Sequence, residues 1–130
     1  MPNSFDLPPE LIDALIQQES NYNPNAVNKT TGARGLGQIM PPALRDFNRY
    51  TKKNYTYDDM FIPHKNREVT EWYLYQRIPQ MLRYYKLPIN IENVLTSYNF
   101  GIGNVKKKKP LPVETLNYIA NIKRNMRGDK

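Results

Sequence analysis

The sequence predicts a mainly α-helical fold in which about five to seven helices and one minor β or loop segment form a single domain over residues 1–130. Three observations support this prediction. A chain of 130 residues can bury one hydrophobic core but not two. Apolar residues recur at helical spacing in several stretches. Proline, glycine and asparagine residues, which end helices and form turns, separate those stretches.

The first predicted helix begins near the two prolines at 8–9, with Asp6 as its N-cap. Its apolar stripe consists of Leu11, Ile12, Leu15 and Ile16. Glu19 follows the third of these residues by one helical turn, so it continues the same stripe. The asparagines at 21–25 are expected to end the helix. The polar, glycine-rich stretch at 28–37 predicts a loop, with room for a short hairpin.

The prolines at 41–42 are predicted to start a second helix that buries Leu44 and Phe47. A long helix is predicted over about 65–85, and Pro79 is expected to kink or break it because proline has no N–H donor. The expected buried side of the long helix consists of Val69, Trp72, Tyr73, Ile78, Met81, Leu82 and Tyr85.

Asn90 is the predicted N-cap of the next helix, which Gly101 and Gly103 are expected to stop. Its apolar stripe of Ile91, Val94, Leu95 and Tyr98 has the spacing i, i+3, i+4, i+7. A basic run at 106–109 predicts a solvated loop. The last helix is predicted to start near Pro112 and to bury Val113, Leu116, Ile119, Ile122 and Met126.

Composition limits the classes of partner and chemistry. The net charge of +7 favours negatively charged partners such as nucleic acid, anionic membranes or bacterial envelope polymers, without choosing among them. Ten tyrosines suit a sugar-binding cleft, since each pairs a flat apolar face with a hydroxyl. The absence of cysteine excludes disulfides and thiol chemistry. His64 is the only histidine, so we expect it at the surface and expect neither a structural zinc site nor a Ser-His-Asp triad.

Neither a membrane span nor a secretory signal is expected in this chain. No run of 18 apolar residues is present, which a membrane-spanning helix requires. The N-terminal stretch MPNSFDLPPE has neither the basic nor the apolar region of a signal peptide.

Three short motifs follow one another along the chain. They are Glu19-Ser20, the segment GLGQIMP at 35–41, and the segment SYNFGIGNV at 97–105. Together they resemble the signature motifs of the soluble lytic transglycosylase (SLT) family, in the family order, and the resemblance extends from about Ala14 to Ile122. The family has a lysozyme-like fold, with a β or loop segment as one wall of its cleft, and its members cleave peptidoglycan.

The resemblance implies a reaction. Peptidoglycan strands would be cut at the β-1,4 bond between N-acetylmuramic acid and N-acetylglucosamine, with Glu19 as the single catalytic acid and base. The N-acetyl group of the substrate would stabilise the positively charged centre. Its own 6-hydroxyl would replace water and give a 1,6-anhydro product. No cofactor and no metal are needed.

The resemblance also implies which residues bind the substrate. Gln38 and Met40 would form a cleft wall that contacts the sugar, in a segment whose glycines let backbone groups approach the ligand. Gly37 departs from the family, which usually has methionine there, and this difference removes part of the apolar wall.

The remaining implied site residues come from both ends of the chain. Tyr98 would form a hydrogen bond near Glu19 or the N-acetyl group, and Asn99 would shape the cleft. The segment ETLNY at 114–118 resembles a late family motif, so Tyr118 would face the acid. Ser20 would act as a hydrogen-bonding residue at the helix end.

The position of Glu19 suits a proton donor. Burial on an apolar helix face and the last-turn dipole both disfavour a carboxylate and therefore raise its pKa. Most glycosidases need a second carboxylate, but none occurs between Ser20 and Arg45. More distant candidates are Asp46, Asp58, Asp59, Glu68 and Glu71.

Two alternatives remain open. A lysozyme-type muramidase would cut the same bond with water, and its product would be one water heavier. A basic nucleic-acid-binding domain is supported by the net charge, but no recognised nucleic-acid-binding motif is present, so no specific nucleic acid is expected. We expect a monomer that acts at the bacterial cell wall, in the periplasm, outside the cell, or as part of a phage particle or lysis system.

Overall fold

The computed structural model describes residues 6–128, and the first five and last two residues lie outside the described part. The predicted mainly α architecture with five to seven helices is confirmed. The helices are α1 (Leu11–Ser20), α2 (Pro41–Thr51), α3 (Pro63–Trp72), α4 (Ile78–Tyr84), α5 (Ile91–Phe100), α6 (Ile102–Lys106) and α7 (Val113–Met126). None of these helices combines the length and the apolar character needed to cross a bilayer.

The N-terminus of α1 is held by a distant tyrosine and not by the predicted cap. Glu10 occupies the N-cap position without a side-chain hydrogen bond, so the prediction of Asp6 as the cap is wrong. The Ile12 amide, which has no partner within its own helix, instead donates to Tyr75 Oη at 3.0 Å. Tyr75 Oη in turn donates to the carbonyl of Pro8 at 2.8 Å. Asn21 ends α1 in the left-handed conformation, as its position predicts.

The long helix from α3 to α4 contains a π-helical turn, Tyr73–Arg77, just before Pro79. Within this turn the Ile78 amide donates to the carbonyl of Tyr73, five residues earlier. The wider turn relieves the clash that a proline ring causes with the preceding helical turn. Leu74 and Tyr75 within the turn are buried in addition to the predicted Ile78 and Leu82. Tyr85, which was expected to be buried, is exposed, because α4 ends at Tyr84 and Tyr85 is its C-cap.

The helices pack around two hydrophobic clusters. The larger joins α1, α4, α5 and α7 through fully buried residues such as Leu15, Leu82 and Leu95. The smaller joins α2 and α3 through Phe47, Val69 and Trp72. Among residues 6–128, β structure is limited to isolated antiparallel bridges that join Val27 to Arg34 and Arg34 to Ile39. This segment is the predicted short hairpin.

The C-terminal elements agree with the predicted boundaries but not with every predicted buried position. Asn90 caps α5 by accepting from the Asn93 amide at 2.8 Å, as predicted. Gly101 ends α5, but Gly103 lies inside the short α6 and stops no helix. In α7 the predicted inward residues Val113 and Leu116 are exposed. The helix instead turns its polar Thr115 and its aromatic Tyr118 inward, together with Ile119 and Ile122.

Candidate active site

Glu19 lies in the last turn of α1, partly buried, with one hydrogen-bond donor directed at its carboxylate. Tyr118 Oη donates to Glu19 Oε2 at 2.6 Å. Burial raises the pKa of the Glu19 carboxyl to about 7, although the Tyr118 hydrogen bond acts in the opposite direction. A carboxyl with this pKa is substantially protonated near neutral pH and can therefore donate a proton.

Tyr118 reaches Glu19 because α7 packs along α1. Its ring is buried, with 6% of the residue exposed, in line with Ile119 and Ile122 on the inward face. One turn earlier, Thr115 Oγ1 donates to Asn99 Oδ1 at 2.9 Å, which connects α7 to the C-terminal end of α5. The sequence did not indicate that Thr115 faces inward, because the apolar pattern favoured its neighbour Leu116.

The segment after α1 is tied to the helix by Ser20. Ser20 Oγ lies 2.8 Å from the carbonyl oxygen of Leu36 and 3.2 Å from that of Ile16. Ser20, the residue next to the acid, therefore fixes the glycine-rich wall, which consists of residues 35–41, against the end of α1. This is the hydrogen-bonding position expected for Ser20 at the helix end.

Tyr98 connects α5 to the same wall. Its hydroxyl donates to the carbonyl of Gly37 at 2.5 Å and forms no hydrogen bond with Glu19. Burial and then the negative charge of Glu19 raise the pKa of Tyr98 well above 10, so the two side chains are close enough to interact electrostatically. Its ring also packs edge-on against Tyr73, with the centroids 5.7 Å apart.

Four of the predicted substrate-binding residues line one cavity of about 350 Å³. They are Gln38, Met40, Tyr98 and Asn99, and the wall also includes Tyr73. Gln38 is held in a left-handed backbone conformation, and its Nε2 donates to the carbonyls of Gly35 and Ala26. Met40 and Asn99 are exposed. Glu19, Ser20 and Tyr118 are not among the lining residues, and Tyr98 is the link between this cavity and the acid.

Gly35 and Gly37 pack closely against the rest of the protein. A Cβ atom on Gly37 would lie 2.0 Å from Thr70 Oγ1, and one on Gly35 would lie 2.1 Å from the carbonyl oxygen of Met60. The space beside these two glycines is therefore filled by protein. The departure at Gly37 is explained by Thr70, whose side chain occupies that space.

Asn66 on α3 holds the wall in place and was missed by the sequence analysis. It is completely buried. Its Nδ2 donates to the carbonyls of Arg34 and Met60 at 2.9 Å each, and its Oδ1 accepts from the Gly37 amide at 3.0 Å. One side chain thus binds three backbone groups around the turn, and it is the partner of the buried Gly37 amide and Met60 carbonyl. No local pattern signals this role, because the partners are distant in the sequence.

No second carboxylate accompanies Glu19 within residues 6–128. Burial raises its pKa and the Tyr118 hydrogen bond lowers it, and no other acid contributes to the shift. Each candidate partner instead forms an ion pair with a basic side chain. The pairs are Asp46 with Arg49 and Arg77, Asp58 with Arg34, Asp59 with Lys65, Glu68 with Lys53, and Glu71 with Arg67.

His64, at the start of α3, is exposed, and the lone Trp72 is in the core, both as expected. The lysines at 106–109 are exposed, which agrees with the prediction of a solvated loop.

Comparisons with known proteins agree with the fold described above. The family model described as the transglycosylase SLT domain matches residues 2–117. The crystal structure of the 70 kDa soluble lytic transglycosylase from Escherichia coli superposes with a TM-score of 0.72 at 25% sequence identity. The match covers 96% of this chain and 23% of that enzyme, so this chain spans about a quarter of the length of its structural relative.

Proposed function

Because this chain belongs to the transglycosylase SLT domain family, we propose that it is a peptidoglycan lytic transglycosylase that cleaves the β-1,4 bond between N-acetylmuramic acid and N-acetylglucosamine. The observation that carries the proposal is the Glu19 carboxyl, which has a pKa of about 7 and one hydroxyl partner, Tyr118. The proposed place of action is the bacterial cell wall, and the proposed active species is a monomer in which residues 1–130 form one domain.

In this reaction one carboxyl group acts first as the general acid and then as the general base. In the first step the protonated Glu19 gives its proton to the glycosidic oxygen as the bond from that oxygen to C1 breaks. The carbonyl oxygen of the substrate's 2-acetamido group forms a bond to C1 and so takes the place of a second carboxylate. In the second step the 6-hydroxyl of the same sugar attacks C1, the acetamido oxygen leaves, and Glu19 accepts the hydroxyl proton. The product is a 1,6-anhydro sugar, and Glu19 is protonated again.

The surrounding residues support this cycle in different ways. Tyr118 donates to the carboxylate formed after the first step, and this bond keeps the pKa of Glu19 from rising further above neutrality. Tyr98 and Ser20 fix the glycine-rich wall to α5 and α1. Gln38, Met40 and Asn99 line the cavity, where a sugar ring would contact them.

Among residues 6–128 no second carboxylate contributes to the environment of Glu19, and this favours ring closure over hydrolysis by water. Mass spectrometry of the muropeptides released from purified peptidoglycan tests this choice directly. We expect products with the mass of the anhydro sugar, and a product heavier by one water would identify a muramidase instead.

A variant separates the enzyme from a nucleic-acid-binding protein. Glu19→Gln should abolish clearing of peptidoglycan, while Glu71→Gln, which changes a carboxylate on the outer side of α3, should leave it intact. If the wild-type protein releases no muropeptides, or Glu19→Gln clears peptidoglycan at the wild-type rate, the proposed function is wrong.

A further inference from the structure

We propose that a groove along one face of α2 binds a further stretch of the peptidoglycan strand, beyond the cavity next to Glu19. This inference rests on the proposed function. It adds a binding site for a distant part of the polymer, which the chemistry at Glu19 does not itself require.

The groove follows from the spacing of side chains on α2. Pro42, Asp46, Arg49 and Tyr50 stand at i, i+4, i+7 and i+8, so they share one face of the helix. Pro42 lines the cavity that contains Gln38 and Tyr98, and also a second cavity of about 340 Å³, which Arg45, Asp46 and Arg49 line as well. Tyr50 lines a third cavity of about 380 Å³. The three cavities thus follow one another along α2 over roughly 12 Å.

Opposite α2, residues of the π-helical turn and α4 line the third cavity. Arg77 Nε lies 3.4 Å from Asp46 Oδ2, and the Arg77 guanidinium carbon lies 4.8 Å from the centroid of the Tyr50 ring. Arg77 therefore contacts a residue of the second cavity and a residue of the third, and it lines the third itself. Arg77 thus lies between the two outer cavities, in contact with a lining residue of each.

The chemistry of the outer end suits a sugar chain. Tyr50 is 53% exposed, Tyr84 is 79% exposed and Tyr85 is 38% exposed, and all three line the third cavity. Exposed aromatic rings clustered around one cavity mark a contact surface. Flat rings stack on the apolar faces of sugars, and the Arg77–Asp46 pair offers hydrogen bonds to hydroxyl and amide groups.

The positive charge next to the groove favours a peptide-bearing strand over a neutral polysaccharide as the bound ligand. Lys106 Nζ lies 4.4 Å from the centroid of the Tyr85 ring. The lysines at 106–109 are exposed and form no ion pair with other described residues. The peptides attached to muramic acid carry free carboxylates, which this positive charge attracts.

Binding to the inactive Glu19→Gln protein tests the groove without turnover. The probes are peptide-bearing glycan strands fractionated by length, and the signal is the fluorescence of Trp72, the only tryptophan, whose ring centroid lies 5.9 Å from that of Tyr50. We expect affinity to increase with strand length. The highly exposed Tyr84, changed to Ala, should weaken binding of long strands about tenfold, while binding of the shortest strands is unchanged. Tyr84→Phe, which keeps the ring and adds no second tryptophan, should retain the wild-type affinity.

Tyr22→Ala is the matched control. Tyr22 is another exposed tyrosine, it lines none of the three cavities, and its hydroxyl donates to the Asp13 carbonyl on α1. This change should leave binding of long strands unaltered. In the active protein, Tyr84→Ala should raise KM for intact peptidoglycan and leave kcat unchanged.

The outcomes separate the groove from the proposed function. If the wild-type protein clears peptidoglycan but affinity does not depend on strand length or on Tyr84, the groove is refuted and the function stands. An equal loss in Tyr22→Ala also refutes the groove. A tenfold loss of affinity for a DNA oligonucleotide in Tyr84→Ala, with no loss for glycan strands, would assign the groove to nucleic acid instead. If wild-type protein neither binds nor cuts glycan strands, the proposed function itself fails.

Discussion

Replacing Glu19 with glutamine should make the protein more stable above neutral pH. The folded protein raises the pKa of this carboxyl from 4.5 to about 7, so it binds the proton more tightly than the unfolded chain does. Between these two pH values the folded state holds more protons, and its stability falls as the pH rises. Glutamine cannot ionise, so the stability of the variant does not fall in this way as the pH rises.

The size of the effect follows from the same values. One pH unit corresponds to about 1.36 kcal/mol, so the full loss is about 3 kcal/mol at pH values above 7. Because Glu19 keeps some contact with solvent and glutamine can still accept from Tyr118, we expect a gain of about 2–3 kcal/mol for the variant above pH 7 and almost none below pH 4.5.

Urea unfolding of both proteins across this pH range measures the difference. Glu92→Gln serves as a control of opposite sign, since hydrogen bonding to Lys123 lowers the pKa of Glu92. That carboxylate contributes stability above its unfolded pKa and loses it as the pH falls, so its variant should be the less stable protein at neutral pH. A stability difference between wild type and Glu19→Gln that stays constant with pH would refute the assigned environment of Glu19.

Three further changes test the surroundings of the acid. Tyr118→Phe removes a hydrogen bond to a charged group, worth about 1.5–3 kcal/mol, so it should raise the pKa of Glu19 and move the alkaline limb of the pH–rate profile up by about 1–2 pH units. An unmoved limb would contradict this contact. Asn66→Ala leaves the buried Gly37 amide and Met60 carbonyl without a partner and should cost about 3 kcal/mol in urea unfolding, whereas a cost below about 0.5 kcal/mol would exclude the proposed anchor. Gly37→Ala should destabilise the protein by about 1–3 kcal/mol. Thr70→Gly in the same chain should recover about 1 kcal/mol or more of that loss, and strictly additive effects would show that the two residues do not interact.

Local sequence patterns were sufficient for the longer helices and for most of their ends, but not for the short α6. The stripe on α1, the proline start of α2 and the cap at Asn90 depend on residues a few positions apart, and such neighbours interact in any helix. The turn after Asn21 follows from the same local chemistry. These features could therefore be predicted before any tertiary contact was known.

The side chains that build the site depend on contacts that no local pattern encodes. Tyr118 and Glu19 are 99 residues apart, and Tyr75 reaches the first turn of α1 across 63 residues. The inward face of α7 contains Thr115, whose partner Asn99 lies on another helix, so a pattern of apolar residues alone selected the wrong neighbour, Leu116. Only the resemblance to a family indicated Tyr118.

The glycine-rich wall shows the same limit. Its glycines predict close approach of another group, and tertiary packing decides that Thr70 fills the space beside Gly37. The π-helical turn before Pro79 buries Leu74 and Tyr75, which lay outside the predicted stripe, and α4 ends one residue before the exposed Tyr85. A sequence with a proline predicts a distortion, but not which residues change faces.

The central claim is that the folded protein keeps the Glu19 carboxyl protonated near neutral pH. A pH titration of side-chain carboxyl carbons by NMR measures this directly, with the Glu19 signal assigned by its disappearance in Glu19→Gln. The environment beside Tyr118 predicts a midpoint of about 7 for this signal. A midpoint near 4.5, the ordinary value for a glutamate in water, would contradict the account of the acid.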